Sequence, residues 1–246
     1  MPTFKDHFSG HASEYSNARP TYPRRLFEFL AQLVSEREAA WDCGTGNGQA
    51  AIALSKYFET VFATDASPDQ LAQADRKPGV VYLAVPAEGS TLEVDSIDLI
   101  TVAQALHWFD FDRFFAEVRR VAKPGAAIAA WAYELAKVTP AIDEIVSAFF
   151  GELHSFWPPE RRFVEERYRD IPFPFETIEA PEFSMSASWE CADMLAYFRT
   201  WSAVRRCAAA TGVDPVGEIE APLAGAWGAA AREVRWPLIL KVGRLR

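Results

Sequence analysis

The sequence is poor in most features that would set it apart from ordinary globular chemistry. Cys43, Cys191 and Cys207 are the three cysteines of 246 residues. The number is odd and there is no C-x-x-C spacing, so neither a disulfide framework nor a thiolate zinc site is expected. Of four histidines, His7 and His11 stand at helical spacing, but no H-E-x-x-H pattern accompanies them and no metal is expected. No apolar run approaches the roughly eighteen residues of a membrane span, and MPTFKDHFSG lacks the apolar stretch of a secretion signal. A soluble cytoplasmic protein with no membrane partner is the expectation. Cations are outnumbered, with 25 Lys and Arg against 34 Asp and Glu and a net charge of −9. That balance argues against a broad nucleic-acid surface. The one local collection of cations, Arg232, Arg235, Lys241, Arg244 and Arg246, reads most simply as solvated strand ends and tail. Repeats, low-complexity tracts and heptads are absent. What is plentiful is apolar surface, 50% of residues, enough for one large core. A small-molecule substrate is the default partner, and composition leaves the oligomeric state open.

The most informative stretch is WDCGTGNG, Trp41 to Gly48. An apolar lead-in, glycines at alternate positions and an alanine-rich helical segment read as a strand, a tight turn and a helix. Glycine serves where the backbone turns sharply or a ligand comes close, and N–H groups at such a turn can meet a polar or anionic ligand. Asp65 closes the next apolar run, VFATD, near the twenty-residue distance at which an acid accepts hydrogen bonds from ribose hydroxyls. Nicotinamide cofactors and S-adenosylmethionine both carry that ribose. The dinucleotide pattern G-x-G-x-x-G does not fit, because the sixth position from Gly44 is Gln49 and the third glycine arrives at Gly48. With Asp42 the pattern becomes D-x-G-x-G-x-G.

The remaining chain alternates strand and helix, the signature of a parallel sheet with crossover helices on both faces. Strands are expected at Glu38–Cys43, Thr60–Asp65, Gly79–Val85, Ile97–Ala103, Ala126–Tyr133, Glu176–Trp189 and Trp236–Val242. Pro237 marks the last as an edge or a bulge. Helices are expected after Pro23, over Asn47–Tyr57, from Ser67-Pro68, over Phe111–Ala122 up to the K-P-G break, over Pro140–His154 and over Ala192–Ala209. Ligands on such sheets bind beyond the carboxyl ends of the strands, so Gln104, His107 and Trp108, after the fourth strand, are expected to face a site. His107 is the candidate general base, since an imidazole titrates near neutrality; the alternative is a histidine that only makes hydrogen bonds. Trp108 walls the pocket or belongs to the core. Phe156, Trp157, Phe163, Tyr168, Phe173 and Phe175 line a substrate pocket or, more simply, pack a cap.

The D-x-G-x-G-x-G pattern resembles motif I of the class I S-adenosylmethionine-dependent methyltransferases. The resemblance runs through every core element from Trp41 to Tyr133. It implies an α/β fold: a Rossmann-like, doubly wound, mostly parallel sheet of seven strands with a small helical cap. The divisions it implies are a lid arm over residues 1–35, a cofactor-binding core over 36–133, a cap with strand six over 134–230 and a final strand over 231–246. It also implies S-adenosylmethionine as cofactor, with Asp42, Gly44, Gly46 and Gly48 at its methionine part, Asp65 and Ala66 at its ribose, Glu88 at its adenine and Gln104 nearby. The segment Tyr15 to Pro23 resembles the lid of the type 11 group, which makes Tyr15 and Arg19 candidates for the methionine carboxylate or an acidic substrate, unless that arm packs only for stability. Tyr22 joins Trp108 as a candidate of the substrate pocket. AQALHWF resembles the trans-aconitate methyltransferase branch, as does TWSAV at Thr200 to Val204.

The expected reaction is methyl transfer from S-adenosylmethionine, yielding S-adenosylhomocysteine, to a small acceptor. A carboxylate acceptor needs no base and Arg19 can orient it, whereas a hydroxyl or amine needs one, for which His107 is the choice. Three alternatives stay open: an NAD(P)-dependent oxidoreductase on the same fold, a nucleic-acid methyltransferase, and a catalytically silent cofactor-binding protein.

Overall fold

The computed structural model describes residues 20–245. Eight strands form one connected sheet in the order β3-β2-β1-β4-β5-β8-β6, with β7 paired to β8. The strands are β1 Ala39–Cys43, β2 Thr60–Asp65, β3 Val80–Ala84, β4 Ile97–Ala103, β5 Ala122–Tyr133, β6 Glu176–Thr177, β7 Ser184–Trp189 and β8 Arg232–Arg244. The first five run parallel, while β8 runs antiparallel to β5, β6 and β7.

Burial on both faces follows from the alternation of side chains along a strand. Ala127, Ala129, Trp131 and Tyr133 of β5 enter one apolar cluster, and Ile128, Ala130 and Ala132 enter the other. The small residues let helices sit close to the sheet. On the first face lie α1 (Arg24–Gln32), buried through Leu26, Phe27, Leu30 and Ala31, and the short α2 (Gln49–Leu54). On the other lies α4 (Phe111–Val121), which buries Phe114, Phe115, Val118 and Val121. The short α3 (Pro68–Ala72) starts with Pro68 behind a Ser67 cap, as its sequence requires. Asp98 ties the sheet together at the opposite end: its carboxylate accepts the Glu38 and Ala39 N–H groups at 3.0 and 2.9 Å and pairs with Lys123 at 2.9 Å.

The cap departs most from expectation. The sixth strand is two pieces, β6 and β7, both on β8, so the sheet has eight strands rather than seven. The helix expected over 192–209 is broken at Thr200-Trp201 into α7 (Cys191–Arg199) and α8 (Ser202–Thr211). A further helix, α9 (Val216–Trp227), forms despite an internal Pro222, because Val216, Ile219, Leu223 and Trp227 share one buried face. It packs against α7 and against α5 (Pro140–Glu152). Phe149, Phe198 and Trp201 close this cluster, with ring centroids 4.7 to 6.0 Å apart. The four-residue α6 (Arg162–Glu165) leads into a strap over α4.

Two punctuation signals act differently from their reading. β8 is interior rather than an edge, yet Pro237 falls where its ladders meet: pairing with β5 runs from Leu238 to Arg244, and pairing with β7 from Arg232 to Pro237. The missing N–H therefore costs little. The K-P-G turn lies inside β5, after α4 has already ended at Val121, and takes up the register shift against β4 with Gly125 at φ 79°. Three of the C-terminal cations hold backbone carbonyls: both terminal nitrogens of Arg244 donate at 2.9 Å, to Gly125 O and Leu33 O, and Arg232 and Lys241 donate to Trp227 O and Ile171 O, while Arg235 is an exposed strand residue paired with Glu233. No helix among the described residues is long and apolar enough to cross a membrane.

Candidate cofactor and active site

The sheet order reverses between β1 and β4, and the chain leaves both strands at the same end. A crevice must open there, because the following helices depart to opposite faces. It holds a cavity of about 890 Å³, lined among others by Gly44, Thr45, Gly46, Gln49, Asp65, Ala66, Glu88, Gln104 and Trp108. That is within the range of ligand sites, roughly 300 to 1,000 Å³.

The glycine loop is fixed from below. Asp42, at the end of β1, is fully buried and accepts hydroxyl hydrogen bonds from Thr45 at 2.5 Å and Thr101 at 2.8 Å. Burial raises its carboxyl to about 6, against the lowering effect of those hydroxyls. Thr45 N–H donates to Thr64 O at 2.9 Å, joining the loop to β2. Gly44, Gly46 and Gly48 have φ of 68°, 57° and 85°, a region open to glycine. Their surroundings differ. A Cβ on Gly44 would stand 2.6 Å from Ala105 Cβ, and one on Gly48 2.4 Å from the Tyr82 hydroxyl oxygen, whereas one on Gly46 would meet only Gln70 Oε1, at 3.8 Å. Gly46 is thus the glycine whose backbone faces open space.

Asp65 reaches that backbone directly. Its Oδ2 accepts Gly46 N–H and its Oδ1 accepts Ser67 N–H, both at 2.9 Å. Glu88 Oε1 accepts the N–H of Asp110 at 3.0 Å, and Asp110 in turn caps α4 through Arg113 N–H. Gln104 sits at φ 57° as β4 ends, its N–H on Trp131 O at 2.7 Å and its Oε1 accepting Tyr133 N–H at 3.1 Å. Tyr22 lines the cavity wall, its N–H on Gln49 Oε1 at 3.2 Å and its ring edge-on to Trp131.

Three expected site residues stand away from the cavity. Asp42 holds the loop from within the core, and Gly48 is the close-packing point for Tyr82 at the start of α2. His107 belongs to a side cavity of about 80 Å³ whose walls include Gln104, Trp108, Tyr133, Trp157 and Arg161. It is 6% exposed, its Nδ1 lies 3.0 Å from the Tyr168 hydroxyl, and burial, with the Arg161 charge second, lowers its pKa to about 3. The imidazole is therefore neutral at pH 7 and a far weaker base than the ordinary imidazole expected from the sequence. Tyr15 and Arg19 lie outside the described residues, as do His7 and His11. Among the described residues, no group of three His, Cys, Asp or Glu could hold a metal ion.

Of the aromatic residues expected to pack a cap, Phe163, Phe173 and Phe175 lie on α4 residues Phe111 and Phe115. Trp157 alone of the six lines the side cavity. Sequence reasoning missed Thr45, Gln49, Phe109, Arg113 and Met185, all on the main cavity. Only Thr45 and Gln49 carried a signal, by standing within and just after the glycine loop.

Residues 41–130 match the family model described as "Methyltransferase domain". A protein of Dictyostelium discoideum named as a methyltransferase is 34% identical over 232 residues, 91% of this chain and 87% of its own length. A Saccharomyces cerevisiae protein, whose name is that of an S-adenosylmethionine-dependent methyltransferase, is 28% identical over 50% of this chain and 45% of its own. A solved structure described as a type II methyltransferase from Anaeromyxobacter dehalogenans superposes with a TM-score of 0.86 at 45% identity, covering 92% of this chain and 97% of that one. With its Rossmann-like sheet, its switch-point cavity and relatives spanning nearly its whole length, the chain belongs to the methyltransferase family.

Proposed function

We infer that the protein transfers a methyl group from S-adenosylmethionine to a small-molecule acceptor, and that the acceptor is a carboxylate of the kind used by the trans-aconitate branch. The observation that carries this reading is the set of groups lining one cavity: the open backbone at Gly46, the Asp65 carboxylate bonded to it, and Glu88. The fit is chemical. A carboxylate such as Asp65 is the acceptor that ribose hydroxyls require, Glu88 suits an adenine amino group, and a side chain on Gly46 would occupy the space beside them. Ala66 and Gln104 complete the wall, and the arm with Tyr15 and Arg19 supplies charge for a carboxylate.

When bound, the cofactor supplies a methyl group made electrophilic by its sulfonium. The chain's task is then alignment, and holding two reactants at near-attack distance is worth ~7–11 kcal/mol. Tyr22 and Trp108 shape the acceptor side of the cavity, and Trp108 offers an aromatic face to positive charge. A carboxylate is already nucleophilic at neutral pH and needs no base, in keeping with a His107 whose burial lowers its pKa to about 3. The cap, residues 134–230, sets acceptor choice around the core of residues 36–133, and the protein acts in the cytoplasm on small molecules. Incubation with methyl-labelled S-adenosylmethionine and a panel of small carboxylic acids tests this. Label recovered as a base-labile ester supports it; label transferred only to amines or hydroxyls overturns the carboxylate assignment.

A further inference from the structure

One buried contact ties the cap to two walls of the site. The 3-10 turn Leu106–Trp108 follows β4, and its His107 has the Tyr168 hydroxyl 3.0 Å from Nδ1 and the Trp108 ring 4.8 Å away, centroid to centroid. Tyr168 is fully buried, and its N–H donates to Phe163 O at 2.7 Å. The preceding residue, Arg167, ion-pairs with Glu134, which directly follows Tyr133 at the end of β5. Arg167 and Tyr168 both have left-handed backbone, φ 56° and 59°, a conformation that residues with side chains rarely adopt. Two such residues in succession send adjacent side chains to two different elements. Those elements carry Trp108 and Tyr133, which line both the main cavity and the side cavity. Gln104, whose amide oxygen holds Tyr133 N–H, lines both as well.

We propose that Tyr168 is a positioning residue of the methyl-transfer site: with Arg167 it forms a clasp that sets Trp108 and Tyr133 relative to one another where the two cavities meet. The assignment rests on the methyl-transfer reading of the main cavity. Tyr168 lines neither cavity and acts through His107, which also feels the charge of Arg161 and whose side cavity carries Glu134, Tyr133 and Tyr197. His107 thereby transmits position rather than a proton.

The test uses the full chain labelled with 5-fluorotryptophan, the Trp108 resonance being assigned with Trp108→Phe. Tyr168→Phe keeps the ring and removes the hydroxyl. The Trp108 line should shift or broaden while the lines of Trp227 and Trp236, buried in the cap and in β8, stay in place. The dissociation constant for S-adenosylhomocysteine should rise about threefold to tenfold, because Gln104, bonded to Tyr133 N–H and on the main cavity, shifts with the clasp and passes on at most the worth of the one hydrogen bond removed. His107→Gln should displace the same line, and with Glu134→Gln it carries the test should Tyr168→Phe fail to fold. An unchanged Trp108 line, an unchanged affinity, or a shift of all tryptophan lines together overturns the clasp. A wild-type protein that binds no S-adenosylhomocysteine overturns the methyl-transfer reading instead, and the Trp108 line still decides the clasp.

Discussion

Replacing the loop glycines one at a time by alanine separates packing from ligand approach. In Gly44→Ala the new methyl would meet Ala105 Cβ at 2.6 Å and Phe109 Cζ at 3.1 Å, on a backbone at φ 68°. Left-handed backbone costs an alanine about 1–2 kcal/mol, and forcing a methyl into packed surroundings about 1–3 kcal/mol. The sum, about 2–5 kcal/mol, lowers the melting temperature by roughly 4–20 °C at 2–4 °C per kcal/mol for a chain of this size. Gly46→Ala carries only the backbone cost, because its nearest new neighbour is Gln70 Oε1 at 3.8 Å. Its melting temperature should fall by roughly 2–8 °C. Its methyl stands on the cavity side, however, and a loss of about 1.4 kcal/mol or more of binding corresponds to about tenfold or more in affinity for S-adenosylhomocysteine. Thermal unfolding by circular dichroism and titration calorimetry read the two effects separately. Equal melting shifts for the two variants, or wild-type affinity in Gly46→Ala, would refute the assignment of Gly44 to packing and Gly46 to the ligand.

Two buried titratable groups give opposite pH signatures. Asp42 has its folded pKa raised to about 6 from 3.8, so the folded state holds the proton more tightly and stability falls as pH rises between those values. The stability difference between wild type and Asp42→Asn, from urea denaturation, should therefore move against the wild type by about 3 kcal/mol from pH 3.8 to above pH 6; a pH-independent difference would show that Asp42 is not desolvated. His107 has its folded pKa lowered to about 3, so its contribution is complete above pH 6.5 and is lost as pH falls. The advantage of wild type over His107→Gln should shrink by about 2 kcal/mol between pH 7 and pH 5. A constant advantage would mean that the imidazole charges freely in the fold.

The core was readable because each of its signals has a local cause. Glycines at alternate positions force the turn after β1, Ser67-Pro68 fixes the start of α3, and Asp65 closes a strand. The cap was not, because tertiary packing overrides local preference there. Pro222, with Gly217 and Gly225, argues against a helix that the buried face of Val216, Ile219, Leu223 and Trp227 nonetheless imposes. Thr200-Trp201 breaks a continuous helical pattern because Trp201 turns inward onto Phe149 and Phe198. At the site, sequence order suggested that Gln104, His107 and Trp108 face one cavity. The 3-10 turn instead sends His107 into an adjoining side cavity, against a tyrosine sixty-one residues away. No local pattern encodes that partner.

Calorimetric titration of wild type and Asp65→Ala with S-adenosylmethionine, S-adenosylhomocysteine and NADH tests the assignment of the main cavity most directly. Asp65 holds the loop through Gly46 N–H and faces the cavity, so both adenosyl ligands should bind saturably to the wild type and at least tenfold more weakly to the variant, a loss of about 1.4 kcal/mol, with no heat from NADH. Binding of NADH without the adenosyl ligands would contradict the methyl-transfer reading and make hydride transfer the reaction of this fold.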